Sequence, residues 1–595
     1  MDRYVIFGVI ALVIFAAFSL RALRVFLDKN RRDRFFSPFQ IFFIGVFLSV
    51  LISFIPLYTN ILVCIHRTLK VFSVDIDEEN VLADLALSRN RLAPAYGVFY
   101  RVMFVVAPLL SIGIIASFFK NFMAQIRLFL HQLLSAKAGL YVFSDLNRES
   151  LALAASIRRD PARRRAALLF ADAYQAKEEE QEELLEAARD LNAILYKKDI
   201  LSVNYSFPRK TSPLFFFLMK EEKSNIRQAV RLITKYRERE NTALYVFSSG
   251  LEGELLLMRD PGKLTVRRVN VCRSLILRDL YENGARLFRD AVPLPDGSRK
   301  IHAVIVGMGK YGTEMLKALS WYCQMDGYHL CIDAFGSDEH AASHFARIAP
   351  GLLDPSCNGV AVPGEAEYTI TVHSGCDFES KEFMDRVAEL TDATFAFVSL
   401  GSDEENIRMA AELRMQFERV HCRPVIRAVI YDPEEKEALE GAANHADPPQ
   451  AYDIECVGSL PDSFSEKVIL APELDEAGLK IHSRYNPDRG EFWKYEYNYR
   501  SSVASALHNR LREELGMPGA GKNADDWTPE ERRAVETVEH RRWNAYMRSE
   551  GYVYSGSPDK SSRNDLAKMH HNLVPFDELS EEDKRKDGRI ASRSE

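Results

Sequence analysis

The chain has 595 residues, 47% of them apolar and 27% charged, with a net charge of -7 at neutral pH. That length exceeds one hydrophobic core and predicts roughly three or four folded units at about 150 residues each, while the acidic balance gives no general attraction for nucleic acid, so none is expected as a partner. Eight cysteines are scattered without a C-x-x-C pair, which argues against a zinc ribbon, a redox dithiol or a disulfide framework, and no metal site is expected.

Three apolar stretches open the chain: "YVIFGVIALVIFAAFSL" from Tyr4, "FQIFFIGVFLSVLISFIPLY" from Phe39 and "VFYRVMFVVAPLLSIGIIASFF" from Val98. Each approaches the roughly 20 residues that a helix needs to cross a bilayer. The charged flank of the first follows its apolar core, and no small-residue cleavage site is evident, so it reads as a retained anchor rather than a signal peptide. Residues 21–34 carry Arg21, Arg24, Lys29, Arg31, Arg32 and Arg34 against Asp28 and Asp33, whereas residues 65–96 mix Arg67, Lys70, Arg89 and Arg91 with Asp75, Asp77, Glu78, Glu79 and Asp84. The basic segment belongs inside. Three spans then place the N-terminus outside and everything after the third span, starting with Lys120, Arg127 and Lys137, in the cytoplasm. The expected localisation is a multi-pass protein of the plasma membrane, in contact with lipid.

Pro56 and Pro108 are expected inside spans two and three, where prolines are tolerated. Arg101, near the outer end of span three, reads either as a residue reaching the headgroups or as part of a pore or interface. The outer loop has no TVGYG-like filter, so a potassium pore of that type is not expected. From Phe118 the helical pattern runs on, with Phe122, Ile126, Phe129 and Leu133 forming an apolar stripe. Residues 1–136 are therefore read as three membrane helices plus an amphipathic linker helix.

After Gly139, short apolar runs alternate with helical patterns: "GLYVFS", "AALLFADAY", "AILYKKDI", "LFFFLM", "ALYVFS" and "LTVRRVN". The pattern repeats from Lys300 with "IHAVIVG", "YHLCIDAFG", "EYTITVHSG", "ATFAFVSLG", "PVIRAVIYD" and "AYDIECVG". Strands separated by helices in this way predict two doubly wound, Rossmann-like α/β domains in tandem, 137–290 and 300–460, meeting near 291–300.

The second domain opens with "VIVGMGKYGTEML", in which Gly307, Gly309 and Gly312 form G-x-G-x-x-G between a strand and a helix. The first two glycines allow a tight turn and close backbone approach to a phosphate, the third allows helix–strand packing, and Asp333, expected at the end of the next strand, can bond a ribose. A nucleotide or dinucleotide, NAD-like or a cyclic nucleotide signal, is the expected ligand. The matching turn of the first domain, "VFSDLNRES", has no glycine: Ser144, Asp145 and Asn147 would crowd a pyrophosphate and Asp145 would repel it. Asp172, expected to end a strand there, is the one feature that keeps a ligand in view. His302, His373 and His421 sit in or beside predicted strands without a catalytic constellation, so an enzyme is not expected.

Tandem domains of this kind behind membrane helices resemble the TrkA-N or RCK regulatory domains of potassium channels and transporters. The resemblance rests on the glycine motif for 300–460 and on strand order alone for the domain before it. It implies nucleotide binding on a cytoplasmic assembly that changes the state of a pore.

Residues 461–526 read as a connector, including the aromatic and then helical "FWKYEYNYRSSVASALHNRLREELG" from Phe492. In the segment that follows, Thr528 is the expected N-cap, with Pro529 in the first turn and Glu530 and Glu531 beside the positive end of the dipole. Val535, Glu539, Trp543 and Tyr546 fall on one helix face, His540 on the adjacent one, and Tyr552 and Tyr554 on one side of an extended piece. These rings read either as a small core or as faces on which a base stacks, with Arg541 and Arg542 near for phosphate or as a solvated face.

The order E-H-x-x-W-N, G-Y-x-Y and "KMHHNLVPFDELSEEDKRKD" resembles the ryanodine-receptor repeat, or RyR domain, of bacterial proteins across 527–587. Glu539, His540, Trp543, Gly551, Tyr552, Tyr554, Lys568, His570, Leu573, Val574, Pro575 and Phe576 fall on that pattern; Tyr552, Ser555 and His571 depart from its common tryptophan, glycine and proline. The resemblance implies a ligand set of Glu539, His540, Trp543, Tyr552, Tyr554 and Phe576 in a small, mostly α unit. Residues 588–595 are expected to be disordered.

Together these readings predict a membrane-anchored sensor or effector, a ligand-gated channel or pore of several copies that responds to a nucleotide-derived signal, as in the antiphage defence that the RyR resemblance implies. A regulatory subunit acting on a separate ion transporter, or an NAD-dependent enzyme, are the competing readings.

Overall fold

A computed structural model describes residues 3–27, 38–73, 78–174, 178–205, 212–250, 253, 260–354, 368–444 and 452–593. The chain divides into two compact units, Met1–Leu128 and Phe129–Glu595.

The first unit is helical: α1 (Arg3–Leu27), α2 (Pro38–Phe54), α3 (Ile61–Phe72), α4 (Glu78–Leu87) and the start of α5 (Ala93–Leu134). Its interior gathers Val46, Val50, Phe54, Val71, Val81 and Tyr100. Phe54 stacks on Tyr100 at 4.9 Å, and the Tyr100 hydroxyl donates to the Ser53 carbonyl at 2.8 Å. Among the described residues two stretches, Arg3–Arg24 and Ala93–Ile112, are long and apolar enough to cross a membrane, and Ile41–Phe54 is apolar but shorter. Leu12, Val13, Val105 and Leu109 are exposed, an arrangement that suits hydrocarbon better than water.

Two expectations for this region are corrected, and a third falls outside the described residues. The second span stops at Phe54, because Pro56 lies beyond the helix in the following turn rather than inside it; a proline at that point cannot continue the backbone ladder. The expected outer loop carries α3, started by the Asn60 side chain accepting from the Leu62 N–H, and α4, with Glu78 and Glu79 in its first turn. Lys29, Arg31, Arg32 and Arg34, on which the orientation rests, lie outside the described residues. The run-on helix was legible: α5 continues to Leu134 without a break, and Phe129 and Leu133 are exposed along it.

In the second unit all twelve strand segments read from the sequence form strands. The first sheet orders β1 (Leu140–Phe143), β2 (Ala167–Phe170), β3 (Ile194–Leu195), β4 (Leu214–Leu218), β5 (Thr242–Phe247) and β6 (Thr265–Val269) as β3-β2-β1-β4-β5-β6, all parallel. The second orders β8 (Arg299–Val306), β9 (Tyr328–Phe335), β10 (Tyr368–His373), β11 (Phe395–Val398), β12 (Val425–Val429) and β13 (Ile454–Val457) as β10-β9-β8-β11-β12-β13. Both carry the doubly wound order of dinucleotide-binding folds. Strands buried on both faces, such as Leu140–Phe143 and Phe395–Val398, explain the unbroken apolar runs. The expected boundary at 291–300 is a hairpin: β7 (Val292–Pro293) pairs antiparallel with the start of β8.

Between and after the sheets run α6 (Val271–Asn283), α7 (Lys310–Tyr322), α8 (Pro472–Tyr485), α9 (Glu496–Glu514), α10 (Pro529–Ser549) and α11 (Glu581–Ala591). Thr528 is the N-cap of α10, as the sequence predicts, and with Glu531 it closes a reciprocal capping box. β14 (Val553–Tyr554) pairs with β15 (Met569–His570). The expected disordered tail is also corrected: α11 runs to Ala591, Gly588 and Ala591 are buried, and the Ile590 carbonyl accepts from Arg484 and Asn509.

Candidate functional site

The glycine turn follows β8 and begins α7. Gly307 has φ +100°, and a Cβ there would lie 2.2 Å from the Ser399 carbonyl oxygen; at Gly312 it would lie 1.9 Å from the Gly307 carbonyl oxygen. These two positions admit only glycine. Gly309 differs: it is exposed, a Cβ would meet nothing within 4 Å, and as N-cap it provides no side chain to the first N–H groups of α7. The turn thus leaves an open, positively polarised helix start of the kind that takes a phosphate.

Asp333 is not at the strand end. It lies inside β9, opposite Val304 and Thr371, where its carboxylate accepts from His302 Nε2 at 2.9 Å and His373 Nε2 at 2.8 Å. Burial would lower the His302 pKa, but Asp333, Cys331 and Asp392 outweigh it and push it up to about 10. Burial likewise would raise Asp333, and the two imidazoles hold it below its ordinary value. His421, the third strand-side histidine, sits in a turn with φ +58°.

The first domain's turn is closed by its own side chains. Asn147 accepts from the Ser150 N–H at 2.8 Å and Ser150 Oγ accepts from the Asn147 N–H at 3.0 Å, a complete capping box. The Ser144 hydroxyl accepts from the Met219 N–H at 2.9 Å, and Asp145 accepts from the Leu146 N–H at 3.1 Å. Asp172, buried just past β2, pairs with Lys220.

In the C-terminal segment, Glu539 and Arg542 are fully buried and paired, Arg542 donating twice to the carboxylate at 3.0 and 2.8 Å. Arg542 is therefore neither a solvated residue nor a free phosphate ligand. His540 uses both ring nitrogens, on Asp587 at 3.1 Å and the Val574 carbonyl at 2.7 Å. Trp543 and Phe576 stay partly exposed beside it, with ring centroids 5.9 and 6.2 Å from the imidazole. Tyr552 and Tyr554 join the main core, Tyr552 facing Tyr497 at 6.4 Å. Of the six residues, His540 thus lies beside Trp543 and Phe576, Tyr552 and Tyr554 are part of the core that Trp543 also packs on, and Glu539 is committed to Arg542.

A cavity of about 320 Å³ lies where both α/β domains, the connector and α10 meet. β6 contributes Arg267 and Arg268, α6 Arg273, α7 Glu314, Lys317 and Trp321, the connector Trp493, Glu496, Tyr497, Tyr499 and Arg500, and α10 Tyr546 with Glu550 just past its end. Most of its charges are matched: Arg273 bonds Glu314 at 2.9 Å and Glu550 at 2.7 Å, Arg268 bonds Glu496 at 3.0 Å, Arg500 bonds Glu550 at 3.2 Å, and Arg267 bonds Asp475 at 2.8 Å. Burial would raise the Glu550 carboxyl, but Arg273, Arg500 and Lys317 hold it well below the usual carboxylate range. The Lys317 ammonium makes no hydrogen bond or ion pair among the described residues, and burial lowers its pKa against the pull of Glu550 and Glu314. The site therefore combines aromatic walls with a buried ammonium that makes no direct bond, and its size falls within the range of small-ligand pockets, about 300–1,000 Å³.

The sequence reading missed this cavity. "FWKYEYNYR" was a signal in plain view, but its residues acquire a role only when β6, α7 and α10 are brought around them. No family model matches the chain, and no curated protein matches its sequence.

Proposed function

We propose that this chain is a membrane-anchored sensor whose α/β and C-terminal parts capture a small anionic, nucleotide-type ligand and pass the change to its apolar N-terminal helices. The observation that carries the reading is the cavity: one space walled by all the units after α5, with aromatic faces on Trp321, Trp493 and Tyr497 and the buried Lys317 ammonium, which makes no direct bond among the described residues. A base on the rings and a phosphate on Lys317 would complete what the site lacks. The glycine turn supports the same ligand class, because α7 begins at Gly309 and carries Glu314, Lys317 and Trp321 to the cavity wall. A ligand that binds one arrangement of these units more tightly than another shifts their equilibrium by that difference and no more. The three-span topology, cytoplasmic placement of the second unit, assembly of several copies, and TrkA-N and RyR kinship belong to this proposal.

The test uses the full chain in detergent. Calorimetry against mono-, di- and cyclic nucleotides should find at least one binder, and Lys317→Met should weaken it at least tenfold, as expected for a charge-assisted bond of about 1.5–3 kcal/mol. Affinity should also fall as pH rises through the depressed Lys317 pKa, earlier than for an ordinary lysine. Heat from no nucleotide, or unchanged affinity in Lys317→Met, overturns the reading. Ion flux from liposomes carrying the protein alone separates a pore from a regulator of another transporter.

A further inference from the structure

Three strands of the second sheet bring together side chains that the proposed ligand sites do not use. His302 on β8 faces Cys331 on β9, and Asp333 lies two residues further along β9 on the same face. The nitrogen, sulfur and carboxylate ligand atoms of these three residues all lie within 4.8 Å of one another. His373 on β10 lies outside that group of three but touches it through Asp333, its Nε2 2.8 Å from Asp333 Oδ1, while His302 Nε2 is 2.9 Å from Asp333 Oδ2.

We infer that His302, Cys331, Asp333 and His373 form a zinc site. Two imidazole nitrogens, one thiolate and one carboxylate are a tetrahedral donor set for Zn2+, whose bonds to such atoms are about 2.0–2.3 Å. The mixture of nitrogen and sulfur disfavours Mg2+ and Ca2+, which take oxygen. The surroundings are those of a metal-bound histidine: Asp392 Oδ1 holds His302 Nδ1 at 2.6 Å and so aims Nε2 at the cluster, the arrangement in which a carboxylate orients a metal-bound imidazole. Lys300 in turn holds Asp392 at 2.7 Å. Phe335 stacks on His373 at 4.5 Å and 13°, fixing that ring.

The charges close as well. One Zn2+ against a thiolate, a carboxylate and two neutral imidazoles is a neutral centre, which a half-buried sheet face can hold without a net charge. The Cys331 thiol proton and the His302 Nε2 proton leave to solvent, and the His373 proton passes from Nε2 to Nδ1, as the Zn–S and Zn–N bonds form, and no electron is transferred. The Asp333 and His373 side chains keep 15% and 27% of their surface exposed, which leaves a way in. Four protein ligands leave no open position, so the role is structural: the ion would tie β8, β9 and β10 below the glycine turn.

The full chain, purified in detergent without chelators, should carry close to one zinc by elemental analysis. Exchange for Co2+ should give visible d–d bands and a sulfur-to-cobalt band in the near ultraviolet. Cys331→Ser should abolish the sulfur band and His373→Gln should weaken binding, whereas Cys456→Ser, on the far edge strand β13, should keep both. X-ray absorption of the wild-type zinc form should give one sulfur and three lighter neighbours, a readout independent of whether the variants fold. Zinc that stays absent after addition, a sulfur band that survives in Cys331→Ser, or a shell with no sulfur or several overturns the assignment and leaves the cluster as a charge network alone.

Discussion

The two α/β domains have one strand order and opposite treatments of the helix that follows their first strand. In the first domain, Asn147 and Ser150 cap that helix reciprocally, and Ser144 and Asp145 bond neighbouring N–H groups. In the second, Gly309 caps with nothing and stands open. The donors that one turn satisfies from within, the other leaves for something outside the chain. Topology therefore sets where a phosphate could bind in such a fold, and the few side chains of one turn decide whether the place is already taken.

The largest effect expected from testing this contrast is steric. Gly312→Ala would set a methyl 1.9 Å from the Gly307 carbonyl oxygen, a backbone atom that cannot step aside, so chemical denaturation should register a loss of about 3 kcal/mol or more. A loss under about 0.5 kcal/mol would mean that α7 does not pack on β8 as described.

Gly309→Asp converts the open turn into the closed kind. Aspartate is a favoured N-cap and has free space here, so stability should stay level or rise by a few tenths of a kcal/mol. Nucleotide affinity at this turn should nevertheless fall at least tenfold, since a carboxylate then occupies the helix start that a phosphate would use. Equal affinity in this variant would remove the glycine turn from the proposed function and leave only the cavity.

How far the sequence alone reaches follows the range of the interactions. The strands, the α10 N-cap and the packing role of Gly312 depend on residues close together in the chain, and all are legible. The contacts around Asp333 and Arg542 are not. Asp333 reads as a strand-end acid until His302, 31 residues earlier, and His373, 40 residues later, are seen to hold it. Arg542 reads as a surface charge until the fold buries it against Glu539. The cavity depends on still longer range, with Arg273 reaching Glu550 across 277 residues. Spacing rules detect a zinc ribbon because its ligands come in close pairs; a cluster spread over three strands gives them nothing to detect.

Asn147→Ala should cost about 1 kcal/mol, the usual loss of a side-chain cap, and leave nucleotide affinity unchanged. A drop in affinity there would give the first domain a ligand after all and erase the contrast.

The smallest effect concerns Asp145. Burial raises its pKa above the ordinary aspartate value, Lys220 and the Leu146 N–H opposing, and Asp172 and Glu149 adding to the rise. A carboxyl whose pKa is higher in the folded than in the unfolded chain binds its proton more tightly when folded, so its ionisation works against folding. That penalty is absent below the ordinary aspartate range, grows as pH rises through the raised value, and is complete at neutral pH. Asp145→Asn keeps an oxygen for the Leu146 N–H and removes the charge. It should stabilise the chain at pH 7 by no more than about 0.5 kcal/mol, and the gain should fade as pH is lowered toward 4. Destabilisation at pH 7 would instead make Asp145 a needed partner of Lys220, so that the first turn is held by charge as well as by its caps.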